Sequence, residues 1–167
     1  MTKQVENRIA YWNQSKWLVL SSGYFLIPAM YAFYHEEYFY SNILSIVSIV
    51  SMNYWRDATD SYRRTLDIVS ARTSFLLFFY NGVKYVTNPQ IKKVGYLNLC
   101  LILYFFYRSH KLYNINSMDW VTSHMLFHLF IAVNQLLVLD SIFFDDYCEY
   151  SCDQMIDYGA GLYEEDL

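Results

Sequence analysis

Apolar positions in this chain gather into five long runs separated by short polar segments. The longest uncharged run lies between Trp120 and Leu139, inside the segment Asp119 to Asp140. A helix of that length crosses the hydrocarbon core of a bilayer. The same pattern predicts helical spans at about 17–34, 38–55, 67–86, 94–110 and 119–142. Together they make a transmembrane domain over 17–144, preceded by a polar segment (1–16) and followed by an acidic tail (145–167). The predicted fold is all-α, a polytopic transmembrane helix bundle of about five spans.

Residues inside and between the runs refine this picture. Trp12 and Trp17 are placed as interface anchors. Pro28 predicts a kink in the first span. Ser41, Ser45, Ser48 and Ser51 repeat at steps of four, three and three, so they share one face of the second span. Small residues at that spacing let membrane helices approach closely. Trp55 closes the stripe, and its plainest role is another interface anchor. The most polar interior stretch is Trp55 to Arg72. There Asp60 can pair with Arg63 and Arg64, and Asp67 with the same arginines from the other side. Arg72 is expected to snorkel to the interface. Asn88-Pro89 predicts a break before a short fourth span, about Val94 to Tyr107, extending toward His110. Asn116 or Ser117 can cap the fifth span, and Asp119 suits its positive end. The tail from Phe143 is too polar to span, and its composition predicts a solvated, partly disordered segment.

Composition supports the membrane assignment and excludes other classes. Charged residues are 17% of the chain, against about 25% in soluble domains, and aromatics reach 20%, with 18 Tyr and 12 Phe. Net charge is −4, but all 12 Lys and Arg precede Met118. No basic tract or aromatic-basic platform points to nucleic acid; the expected partners are membrane lipids. The first apolar run starts near Trp17 and reads as a span rather than a cleavable signal peptide. With five spans, the N-terminus, the 55–72 segment and the 108–116 loop share one side, and they hold most of the basic residues. The positive-inside rule puts that side, with the N-terminus, in the cytosol. Cys100 lies in an apolar run and is expected to be buried. Cys148 and Cys152 form a C-x-x-x-C pair without the second pair a zinc ribbon needs, leaving a local disulfide and two free thiols both open.

The candidate chemistry sits in the last span. His124 and His128 are four residues apart, about 40° in angle on a helix, so both rings leave one face, with Gln135 beside them. Imidazoles in an apolar span are costly unless something satisfies them, either a metal or hydrogen bonds within the bundle. Counting helices up and down puts Ser51, Asp67, His124 and His128 at one depth, just inside the cytosolic face. For Asp67 the plain alternative is a salt bridge to Arg63 or Arg64.

The segment Ser123-His124-Met125-Leu126-Phe127-His128 resembles the H-x-x-aromatic-H motif of the alkaline ceramidase and progestin/adipoQ receptor superfamily, known as CREST. Ser51-Met52-Asn53-Tyr54 matches the start of that family's S-x-x-aromatic-H motif, and Asp67 falls at a similar spacing behind it. The resemblance covers about a third of the chain. It implies a membrane-embedded zinc site with His124 and His128 as ligands and Ser51 and Asp67 as supporting catalytic residues. The implied activity is hydrolysis of a lipid amide or ester. Trp55 stands where the family has its second-helix His, and the expected span count is five rather than seven. Asp67 is then the expected third metal ligand, with His110 a second candidate; His35 falls on the opposite side. Two readings follow: a zinc-dependent lipid hydrolase, and a non-catalytic lipid-binding, receptor-like or structural membrane protein with a decayed metal site.

Overall fold

The computed structural model describes residues 8–115 and 117–161, with side chains as far as 143 and excepting 116. Among them there is no strand, only an isolated antiparallel bridge between Arg8 and Thr59. The first rod comprises α1 (Trp12–Ser22), a 3₁₀ turn (Gly23–Phe25) and α2 (Leu26–Tyr34). Then follow α3 (Tyr38–Arg56), α4 (Tyr62–Tyr85), α5 (Pro89–Asn114) and α6 (Asp119–Gly161). The all-α expectation therefore holds, with five helical rods.

Local chemistry explains the boundaries. Pro28 cannot donate to the Tyr24 carbonyl, and the backbone tightens into the 3₁₀ turn just ahead of it. Glu36 adopts a positive φ of 62°, which lets the chain reverse between α2 and α3 within a few residues. Asn88 caps α5: its side chain accepts from Gln90 N at 2.9 Å and Ile91 N at 3.5 Å. Pro89 takes the first helical position, where no N–H is needed. The Asn-Pro pair thus opens α5 rather than only ending α4, and α5 is longer than the predicted 94–110. Ser117 accepts from Asp119 N at 3.4 Å at the start of α6; Asn116 lies outside the described residues.

The last helix also runs further than expected. Its backbone stays helical to Gly161, where a polar, partly disordered tail was anticipated beyond 142. No proline follows Asp119 and no glycine lies between Asp119 and Gly159, so no strong helix breaker interrupts α6 before its last turn. The side chains of the tail, including Cys148 and Cys152, lie outside the described residues. Cys100 is exposed on α5, against the expectation of burial.

Helix α6 packs on α1, α2, α4 and α5, while α3 packs on α1, α2 and α4. One apolar cluster, around Ala29, Leu44, Phe78 and Leu139, fills the end where α2 turns into α3. A second, with Leu18, Tyr54, Trp55, Trp120 and Val121, fills the other end. There residues 8–10 meet the α3–α4 loop, Ile9 N donating to Ala58 O at 2.8 Å. Two stretches are long and apolar enough to cross a membrane, Trp12–Tyr34 and Asp119–Phe143. The predicted count of about five is not reached by that measure. Helices α3, α4 and α5 have sufficient length, at 19, 24 and 26 residues. Their Ser, Tyr, Asn and charged residues lower their hydropathy.

The placement of those polar residues is informative. Ser22, Ser48, Ser51, Ser74, Asn81, Asn98 and Ser109 are buried between helices. Ile49 on α3, Leu76 on α4 and Leu97 on α5 are 63–64% exposed. The buried polar groups, more than the exposed apolar ones, are the unusual feature of this arrangement.

Candidate functional site

Helices α4 and α5 do not pack closely on one another. The gap between them is floored by α3 and α6 and closed at one end by the residues around Arg8. It forms a cleft of about 890 Å³, within the range of roughly 300–1,000 Å³ usual for small-molecule sites. Ser51, Asp67, His110, His124 and His128 all line it. Four of these, Ser51, Asp67, His124 and His128, are the residues that helix counting brings together; His110 joins them only through the packing of α5.

Both imidazoles are held from behind by serines. Ser21 Oγ on α1 lies 2.9 Å from His128 Nδ1, and Ser109 Oγ on α5 lies 3.3 Å from His124 Nδ1. Each serine can give its one proton to a backbone carbonyl, Ser21 to Leu18 at 3.2 Å and Ser109 to Trp120 at 3.3 Å. With the proton so placed, each Nδ1–H donates to its serine, and the proton-free Nε2 becomes the acceptor. No described residue hydrogen-bonds either Nε2. The two rings sit edge to face with centroids 4.7 Å apart. His128 is buried against Phe25, and His124 meets Trp55 and Trp120.

The α3 side of the cleft is a hydroxyl ladder. Ser22 Oγ lies 2.8 Å from the Leu18 carbonyl and 3.0 Å from Ser51 Oγ, so its one proton serves one of them at a time. Ser48 Oγ donates to the Ser22 carbonyl at 2.9 Å. The Ser51 hydroxyl also interacts with the Asp67 carboxyl across the α3–α4 contact. Asp67 does not pair with Arg63 or Arg64. Arg63 approaches Asp57 at 3.7 Å, and Arg64 reaches Asp60 at 3.0 Å. Those acids sit in or beside the α3–α4 loop, where the arginines remain hydrated.

Trp55 is buried rather than anchored at the surface. Its ring packs on Tyr54 and edge-on to His124, with centroids 4.6 and 5.2 Å away. Its Nε1–H is buried without a hydrogen-bond partner among the described residues. That group is a donor only, so it cannot ligate a metal. A catalytic zinc takes three protein ligands and keeps one open position. Among the described residues, no three His, Cys, Asp or Glu side chains are grouped to hold a metal. Asp67 is thus not grouped with the two histidines in this structure but meets Ser51, and two imidazoles alone fall short of the three ligands a catalytic zinc takes. His110 is exposed on α5 at the edge of the cleft, and His35 stacks on Phe143 at the opposite end.

A narrower apolar seam lies beside the cleft along α4 and α5. Phe75, Ile102 and Ile131 line both parts. Beyond them the walls are Phe79, Gly82, Val86, Gly95 and Leu99, with Gln135 and Val138 at the base. Gln135 is buried; its Nε2 donates to Ser74 Oγ at 3.4 Å and its Oε1 has no partner among the described residues. Sequence reasoning missed Ser21, Ser22 and Ser109 as supports of the site. The adjacent serines in the first apolar run were the available signal, but only the packing shows which ring each one meets. No protein family, curated protein or solved structure matches the chain.

Proposed function

We propose that this chain is a multi-pass membrane protein of about five spans that binds an amphipathic lipid in the α4–α5 cleft. The polar part of the lipid lies among Ser51, Asp67, His124 and His128, and its chain follows the apolar seam. One observation carries the reading. A wide chamber that gathers Ser51, Asp67, His124 and His128 on otherwise apolar walls shares Phe75, Ile102 and Ile131 with a narrow apolar groove, between helices whose outer faces carry many apolar side chains. Lipids are the molecules that present both halves of that surface from the side of a bundle. The basic end, with Lys16, Arg56, Arg63, Arg64, Arg108 and Lys111, faces the cytosol with the N-terminus.

The test is photo-crosslinking of the full chain in nanodiscs with an acyl lipid carrying a diazirine along its chain. Adducts should map to α4 and α5 peptides between Phe75 and Leu99, and Ile102→Trp, which narrows the passage, should remove most of them. Labelling spread evenly over all outer faces would reject a cleft-bound lipid.

A zinc-dependent lipid hydrolase, related to the superfamily that the histidine motif resembles, is the second reading. It is favoured by the serine support of both Nδ1 atoms, since metal-binding histidines are oriented in this way by partners on the other ring nitrogen. The missing third ligand counts against it. Elemental analysis of the purified chain beside a His124→Ala/His128→Ala double variant separates the readings. About one zinc per chain, lost in the variant, supports the hydrolase; a metal-free chain that still takes the photo-lipid supports binding alone.

A further inference from the structure

Arg72 has no assigned task in the fold. It lies on the face of α4 that lines the cleft, about 7 Å along the helix from Asp67 toward the seam. It is exposed to the cleft side and makes no ion pair, hydrogen bond or ring contact with any described residue. The other arginines of this helix are paired, Arg63 with Asp57 and Arg64 with Asp60. Across the gap stand Leu103 and Phe106, which offer a guanidinium no hydrogen bond. A cation at that depth is costly unless an anion meets it. Its side chain leans toward the N-terminal end of α4, as helical side chains do, and so toward the polar chamber.

We infer that Arg72 selects the ligand: the cleft takes a single-chain lipid with a monoanionic head, a long-chain carboxylate, bound through its head to the guanidinium. This rests on the reading of the cleft as a lipid site. Charge argues for one negative charge rather than two. On the α4 wall Arg64 is answered by Asp60, which leaves the single guanidinium of Arg72 to meet a ligand. One cation matches one negative charge, and the Asp67 carboxylate beside the chamber repels a dianion. Geometry agrees: a carboxylate matches the guanidinium fork with two parallel hydrogen bonds. The seam from Phe75 to Val86 offers about 17 Å of apolar wall for one tail. A two-chain phospholipid would leave its second tail outside.

Equilibrium binding of radiolabelled hexadecanoate and hexadecanamide to the full chain in nanodiscs, at alkaline pH, tests this. The two probes share a tail and differ in charge. The native chain should prefer the carboxylate by about tenfold or more. Arg72→Gln should erase the preference and leave amide binding unchanged, and Arg72→Lys should restore part of it. Equal binding of the two probes by the native chain overturns the inference while the lipid site stands. So does a preference that survives Arg72→Gln. Loss of amide binding in Arg72→Gln would make the residue structural and overturn it too. If the native chain binds neither probe, the lipid-site reading itself fails.

Discussion

His128 shows how much one hydroxyl can decide. The ring is buried, and Ser21 at 2.9 Å is its only hydrogen-bond partner among the described residues. Ser21→Ala leaves a buried ring nitrogen unpaired and should lower stability by about 1 kcal/mol. Ser45→Ala, on the same stripe as Ser48 but making no hydrogen bond, should stay within about 0.5 kcal/mol of the native chain. Thermal unfolding in detergent reads both; equal effects would mean that the serine does not hold the ring. Trp55 is the second decisive residue. Its ring already lies beside His124, so Trp55→His puts a third imidazole next to the existing pair. That variant should take up about one zinc per chain by elemental analysis. Absence of uptake, with the fold intact, would show that the two histidines are not poised as ligands. Trp55, Asp67 and Ser51 were all visible as residues of interest in the sequence. Their partners were not, because a salt bridge and a hydroxyl contact are equally consistent with Asp67 until α3 and α4 are packed.

At the scale of elements, close approach and capping set the cleft. Gly82 lets α4 lie against α6: a Cβ there would sit 3.2 Å from a Val138 methyl. Gly82→Leu should push the helices apart, cost about 1–3 kcal/mol and reduce photo-lipid labelling along the seam. Unchanged melting and labelling would show that the seam tolerates the added bulk. Asn88→Ala removes the cap of α5 and should cost about 1 kcal/mol. Apolar periodicity made the existence of all five helices legible. It did not locate the ends of α5 and α6. Asn88-Pro89 satisfies the rules for a break and for a helix start equally, and the polar side chains after Phe143 do not by themselves end a helix.

The distribution of polarity is a property of the whole molecule. Serines and asparagines share the interior with the apolar clusters, while many further leucine, isoleucine and phenylalanine side chains face out, as expected where the surroundings are lipid tails. Cys100 tests this directly. It is exposed on the bundle surface near the middle of α5, so in a bilayer it should be covered by lipid. In a Cys148→Ser/Cys152→Ser background in sealed vesicles, a membrane-impermeant maleimide should leave Cys100 unmodified until the membrane is dissolved. Rapid modification in intact vesicles would take α5 out of the membrane and reduce the number of spans.

The sequence alone determined the helical class, the number of rods, the polar breaks between them and the common location of Ser51, Asp67, His124 and His128. Hydropathy and helical periodicity are local, and alternating chain direction follows from counting. Tertiary structure decided which groups meet. The serine behind each imidazole, the contact of Asp67 with Ser51, the burial of Trp55 and the gap between α4 and α5 all depend on helix rotation and spacing. Those are set by contacts between residues far apart in the chain, and no periodicity within one helix contains them.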